Sequence, residues 1–165
     1  MKKRFLTAAV AIIMSLGSIN AFATAEKITI NGNTVDIPSD MGTIREINDR
    51  TFVPLRFVSE YLGCSVTYNP VSYESVNGDT STTTVKGTVI FTNPKTNISY
   101  YFTIGDDKLF VFENMEASVF KLNEPTFLGD DDRTYIPVRS FAEAMNYTVD
   151  WDEATQTVSL TEAQD

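Results

Sequence analysis

Seven residues, Arg50-Thr51-Phe52-Val53-Pro54-Leu55-Arg56, return as Arg133-Thr134-Tyr135-Ile136-Pro137-Val138-Arg139, with an offset of 83 and no gap. Glu60 and Glu143 follow the two copies at the same distance. Each copy then closes on a β-like run, Cys64 to Tyr68 and Tyr147 to Trp151. The offset also reaches back to Asn31 and Asn114. The repeated unit therefore covers roughly Ile28 to Asn69 and Val111 to Asp152. With flanking strands, the halves become about 28–92 and 98–161 of one domain, 26–165. A repeat of this length is first a statement about architecture. It predicts two units related by a pseudo-two-fold axis, an arrangement that requires the two helices to share core residues.

Local signals place the elements. Ile28-Thr29-Ile30 and Val35-Asp36-Ile37 flank Asn31-Gly32, which suits the positive φ angles of a tight hairpin turn. Met41 to Asp49 reads as a connection, and Thr51-Phe52-Val53 as a short strand. Pro54 and Pro137 suit the first helical position, where a missing N–H is harmless. Leu55, Val58 and Leu62 follow helical spacing in the first copy; Val138, Phe141, Ala142 and Met145 do so in the second. Gly63 and Asn146 suit left-handed helix ends. The Ser, Thr, Asn and Gly richness of Asn69 to Thr84 predicts a surface loop with its tip at Gly78-Asp79. Val85–Thr92 with Ile98–Ile104, and Leu109–Phe112 with Ala117–Leu122, read as hairpins. Thr157 to Leu160 closes the sheet. The expected class is α+β: two tandem hairpin-helix-strand repeats, with an antiparallel sheet wrapped around two short helices.

The first 25 residues have the form of a secretory signal peptide. Lys2, Lys3 and Arg4 precede the apolar run Phe5 to Leu16, which is too short to span a bilayer. Cleavage sites follow at Ala21-Phe22-Ala23 and Ala23-Thr24-Ala25, with no Cys after either to carry a lipid. The expected destination is extracellular or cell-wall associated, without stable membrane insertion. Removing those three basic residues leaves ten against 22 acidic ones, and the net charge moves from −9 to −12. Such a balance argues against nucleic acid and other polyanions, which need basic patches. The single cysteine, Cys64, forbids an internal disulfide and reads as a small buried hydrophobe.

The pattern of strand, Asn-Gly, strand, Arg-Thr-aromatic-Val-Pro-Leu-Arg, apolar helix ending in Gly and Val-x-aromatic-Asn/Asp resembles the copper amine oxidase N-terminal-like, or stalk, domain. Such domains occur in many secreted proteins of Gram-positive bacteria. The resemblance covers nearly the whole chain after Ala25. It departs at Asn146, where the family usually has Gly, and at Tyr68-Asn69, where it usually has Trp-Asp. It implies antiparallel strands around the helices and no catalysis, because amine oxidases carry their chemistry in other domains.

The residues themselves offer no copper chemistry and imply no cofactor. There is no His, and imidazole is the ligand type that copper in amine oxidases requires. Met41, Met115 and Met145 are scattered, and Asn146-Tyr147-Thr148 departs from the quinone-forming pattern. Without His, every Ser-His, Cys-His and His-metal scheme fails. Carboxylate chemistry stays open through Glu60, Glu143, Asp150 and Asp152, but duplication alone accounts for the glutamates. Gly129-Asp130-Asp131-Asp132 lacks EF-hand spacing and reads as a solvated acidic turn rather than a calcium site. Arg56 and Arg139 are the candidate binding residues. They read as structural guanidiniums, with a paired site for an anion or carboxylate as the sharper alternative. Trp151 and Tyr101, on the strand face opposite Tyr100, are the candidate exposed aromatics. The reading is a secreted non-catalytic module that makes cell-surface or protein–protein contacts, including a homodimer. The alternatives are a wall-polysaccharide-binding module and a carboxylate-based hydrolase.

Overall fold

The computed structural model describes residue 25 and residues 27–77 and 80–163. The signal-peptide reading, including Ala23, and the Gly78-Asp79 tip lie outside the described residues. Ala25 is buried in the core.

The protein is mostly β, with three sheets and two short helices, and this corrects the α+β expectation. No single sheet wraps the helices. The strands are β1 (Lys27–Ile30), β2 (Asn33–Val35), β3 (Arg45–Ile47), β4 (Arg50–Pro54), β5 (Ser65–Asn77), β6 (Thr80–Asn93) and β7 (Ile98–Thr103). There follow β8 (Lys108–Glu113), β9 (Glu116–Lys121), β10 (Phe127–Leu128), β11 (Thr134–Pro137), β12 (Tyr147–Asp152) and β13 (Thr157–Glu162). The helices are α1 (Leu55–Tyr61) and α2 (Val138–Ala144), seven residues each. Two turns of helix cannot cover a sheet face, so much of the core is made by strands packing against strands.

The sheets are ordered β12-β13-β1-β2, β10-β11-β4-β3 and β5-β6-β7-β8-β9. At the centre, β4 and β11 pair antiparallel: Phe52 faces Pro137, Val53 faces Ile136 and Pro54 faces Tyr135. Adding 83 to the first-half member of a pair and subtracting 83 from the second-half member regenerates the pairing, so a local pseudo-two-fold axis passes between Val53 and Ile136. Both side chains are fully buried. α1 and α2 contribute to one core cluster through Leu55, Phe57 and Val58 and through Val138, Phe141 and Ala142.

The outer sheets exchange strands between halves. β1 of the first half lies parallel to β13 of the second, with Ile28 opposite Val158 and Ile30 opposite Leu160. In the other outer sheet, β6 of the first half reaches β8 of the second through β7. Antiparallel pairing on both sides of β7 leaves β6 and β8 parallel, the orientation of β13 and β1. β7 has no counterpart in the other half.

The predicted loop over Asn69 to Thr84 is instead the extension of β5 and β6, a ribbon paired from Ser65–Thr92 out to Asn77–Thr80. Its polar composition suggests a loop, but Thr80 to Val85 is mostly β-branched and favours extended backbone. The predicted connection Met41 to Asp49 contains β3. Pro54 and Pro137 stand one position earlier than predicted. Each is the last extended residue before its helix, with ψ of 119°. Gly63 and Asn146 end the helices in the left-handed region, at φ of 81° and 63°. Asn114-Met115 makes the same turn as Asn31-Gly32, although Met115 must take a φ of 66°.

Cys64 is 5% exposed, and burial pushes its thiol up. Nucleophilic thiolate is therefore scarce at neutral pH. An aromatic disulfide reagent is expected to leave the folded protein unlabelled and to titrate one thiol in denaturant. Rapid labelling of the native protein would contradict the burial.

Candidate functional site: two related clefts

The pseudo-two-fold axis creates two clefts, each at the seam between the halves. The first encloses about 740 Å³ and is lined by Asp49, Arg50, Thr51, Asn123, Pro137, Val138, Arg139, Val149, Trp151 and Val158, among others. The second encloses about 600 Å³. Its lining includes Asp132, Arg133, Thr134, Asp40, Pro54, Leu55, Arg56, Val66, Tyr68 and Val89. Taken in those orders the residues match one for one. Nine of the ten pairs are 83 apart; Val158 and Val89 correspond through the β12–β13 and β5–β6 pairings. Each cleft combines the helix start of one half with the strand Arg of the other.

The candidate residues separate accordingly. Arg139 and Trp151 share the first cleft, and Arg56 belongs to the second. Arg56 and Arg139 thus do not form one paired site. Tyr101 is elsewhere, half-buried on the outer face of the five-stranded sheet, its ring edge-on to Phe110 with centroids 5.7 Å apart. Glu60 and Glu143 are exposed on their own helices. Arg50 and Arg133 were legible as members of the repeated heptad, but nothing local marks them as cleft residues.

The acidic turn has a structural role. Tyr135, fully buried, donates from its hydroxyl to Asp131 Oδ2 at 2.8 Å. Arg45 Nη2 lies 2.6 Å from Asp130 Oδ1 and 3.4 Å from Asp131 Oδ1, with its guanidinium over the Tyr135 ring at 4.5 Å. Arg133 Nη1 donates to the Asp131 carbonyl at 2.9 Å, and its other terminal nitrogen donates to the Asp40 carbonyl. Desolvation raises the Asp131 carboxyl, but the bonds from Tyr135 and the Arg133 N–H, with the Arg45 charge, outweigh it and lower it overall. The Asp130 carboxylate, then Tyr135, raises Arg45. Gly42 sits against this cluster at φ 102°, where a Cβ would meet Tyr135 Oη at 2.9 Å.

In the first cleft these anchors are missing. Asn48 stands where Asp131 does, and Phe52 where Tyr135 does. Arg50 donates to the Asp49 carbonyl at 2.9 Å. Among the described residues, no carboxylate pairs with Arg50 or Arg139, whereas Arg56 has Glu60 at 4.0 Å. Glu46, Asp49, Asp150 and Glu153 also line this cleft. None of them is buried, and a general acid depends on burial or a close like charge to hold its proton near neutrality. No group of three metal-ligating side chains occurs among the described residues.

No curated protein and no solved structure matches the chain. The family described as Copper amine oxidase N-terminal domain matches over residues 29–160, and also over 7–75. The chain belongs to the copper amine oxidase N-terminal domain family, a family of non-catalytic modules.

Proposed function

We propose that the protein is an exported stalk-type module that works by contact with another protein at the cell surface. The observation that carries this reading is the open outer face of the five-stranded sheet. Ile90, Tyr101, Phe110 and Val119 stand side by side across β6, β7, β8 and β9, with Phe112 on the same face. Val119 is 58% exposed and Phe112 45%. A contiguous apolar face of this kind marks an interaction surface rather than ordinary surface variation. β9 is one of the two edge strands of the sheet, β5 being the other. Lys108 and Lys121 lie opposite each other beside the apolar file, both exposed, with Lys121 Nζ 3.7 Å from Asp107 Oδ2. The complementary partner is a protein with an apolar strand or helix flanked by acidic residues. The protein's own acidity disfavours a second copy in that role.

Export is part of the proposal. Among the described residues, no helix is long and apolar enough to cross a membrane. Burial of Ala25 favours cleavage after Ala23, since a cut after Ala25 would remove a core residue. Protein recovered from the medium is expected to begin at Thr24; retention of Lys2 to Leu16 in the cell-associated form would refute export. Bait carrying Val119→Lys and Phe112→Ser is expected to lose at least about tenfold in capture of the wild-type partner from a secretome. Capture unchanged by those substitutions would reject the sheet face. Retention on purified wall that is lost with Val119→Lys and Phe112→Ser would reject the protein–protein reading in favour of a polysaccharide on the sheet face.

A further inference from the structure

The duplication provides an internal comparison, because the same lining residues occur twice and are used differently. In the second cleft the strand Arg is consumed: Arg133 is bound to the carbonyls of Asp131 and Asp40, beside the Asp131 carboxylate. In the first cleft, Asn48 and Phe52 replace the carboxylate and phenol that organise that cluster. Two guanidiniums, Arg50 and Arg139, are therefore left on one concave surface without carboxylate partners among the described residues. The aromatic position also differs. Tyr68 becomes Trp151, the chain's only tryptophan, 39% exposed in the cleft.

We infer that this cleft is a binding site for a saccharide ring bearing a single carboxylate. The site is separate from the apolar sheet face and does not depend on it. Trp151 offers a flat apolar surface for the C–H face of a sugar ring. Arg139 and Arg50 offer planar forks that match one carboxylate in bidentate geometry. Glu46, Asp49, Asp150 and Glu153 accept hydrogen bonds from ring hydroxyls. Four carboxylates against two guanidiniums leave the lining with an excess of two negative charges, which opposes a polyanion more steeply than a single carboxylate and makes binding of that carboxylate depend on direct contact with the two forks. A volume of about 740 Å³ lies within the range of small-molecule sites, roughly 300–1,000 Å³.

The single tryptophan makes the test direct, because fluorescence excited beyond tyrosine absorption reports this cleft alone. The probes are glucuronic acid, N-acetylmuramic acid, N-acetylglucosamine and acetate. The two acids differ in whether the carboxylate is on the ring or on a lactyl ether, so the tighter one identifies the source. Saturable change with one or both acids is expected, about tenfold weaker for N-acetylglucosamine and for acetate. Arg139→Met is expected to lose the response, and Arg139→Lys to weaken it several-fold by removing the fork. Arg56→Met, in the other cleft, should bind as the wild type does. Thermal unfolding of each variant separates lost binding from lost fold, and Arg139→Lys keeps the test valid if Arg139→Met unfolds. No saturable change with either acid, an equal response to the neutral sugar, or unchanged binding in folded Arg139→Met or Arg139→Lys would overturn the inference.

Discussion

Cutting the chain between Asn93 and Ile98 is expected to leave both halves unfolded when separate and to restore the fold when they are mixed. The cut falls in the turn between β6 and β7, where the backbone is exposed. Each half contains one complete repeat, so a string of independent units would survive the cut. The strand exchange predicts the opposite. β1 has β13 as one of its two neighbours, β4 has β11, and β6 has β7. Separation strips a neighbour from each of the three sheets and divides the single core cluster between two chains. A half of about 70 residues would then have to fold on hairpins with one apolar face bare, and chains of that size are marginal even when the core is complete. Circular dichroism and a urea titration are the measurements. A cooperative transition in either half alone would show that the repeats are autonomous. Failure to regain the native spectrum on equimolar mixing would show that covalent connection is needed for assembly.

Replacing Phe141 by Ala is the point substitution expected to cost most. Phe141 is fully buried on α2, its ring centroid 5.3 Å from that of Phe91 on β6. Phe91 in turn stacks on Tyr100 at 4.8 Å. A helix of the second half is thereby fastened to a strand of the first. Truncation removes the ring and leaves a cavity that β6 and β7, held in a five-stranded ladder, cannot close. The expected loss is about 3–5 kcal/mol, which corresponds to a fall in Tm of roughly 10 °C for a chain of this size. Phe141→Leu, which retains most of the volume, is expected to cost about 1.5 kcal/mol. A loss below about 1 kcal/mol for the alanine variant would mean that the aromatic column is not a principal core contact.

Several elements were legible because their causes are local. Gly63 and Asn146 terminate helices because few residues tolerate a positive φ. Asn31-Gly32 makes a hairpin for the same reason. The alternation in β7 placed Tyr100 inside and Tyr101 outside, as the side-chain period of a strand demands. Three readings failed for a reason they share. Asn69 to Thr84 reads as loop from its composition, and Met41 to Asp49 as a connection, yet both contain strand. Whether a polar stretch is loop or ribbon depends on whether another strand lies beside it. The overall class failed likewise. Helix signals were strong, but each helix is two turns long, and the architecture is set by which strands meet.

The candidate site divides along the same line. Arg56 and Arg139 were visible as a repeated residue, and their repetition suggested a pair. The pseudo-two-fold axis places them in different clefts and gives each the strand Arg of the opposite half, so the relevant partners are Arg50 with Arg139 and Arg133 with Arg56. The differences between the copies, Asn48 for Asp131 and Phe52 for Tyr135, look like drift until the clefts are compared. Arg133 is then seen to be anchored by two carbonyls beside a carboxylate, whereas Arg50 has the single exposed bond to the Asp49 carbonyl.

The amino-acid sequence alone was enough to establish the duplication, the family resemblance, the helix limits to within a residue and the absence of histidine chemistry. These follow from residue identity and from the φ, ψ preferences of near neighbours. Only the tertiary structure decided that the halves exchange strands, that β1 runs parallel to β13, and that Arg50 shares a cleft with Arg139 and Arg133 with Arg56. The pairings of β4 with β11 and of β1 with β13 join residues 81 to 130 positions apart. No local preference encodes them, because they are selected by burial of the shared core.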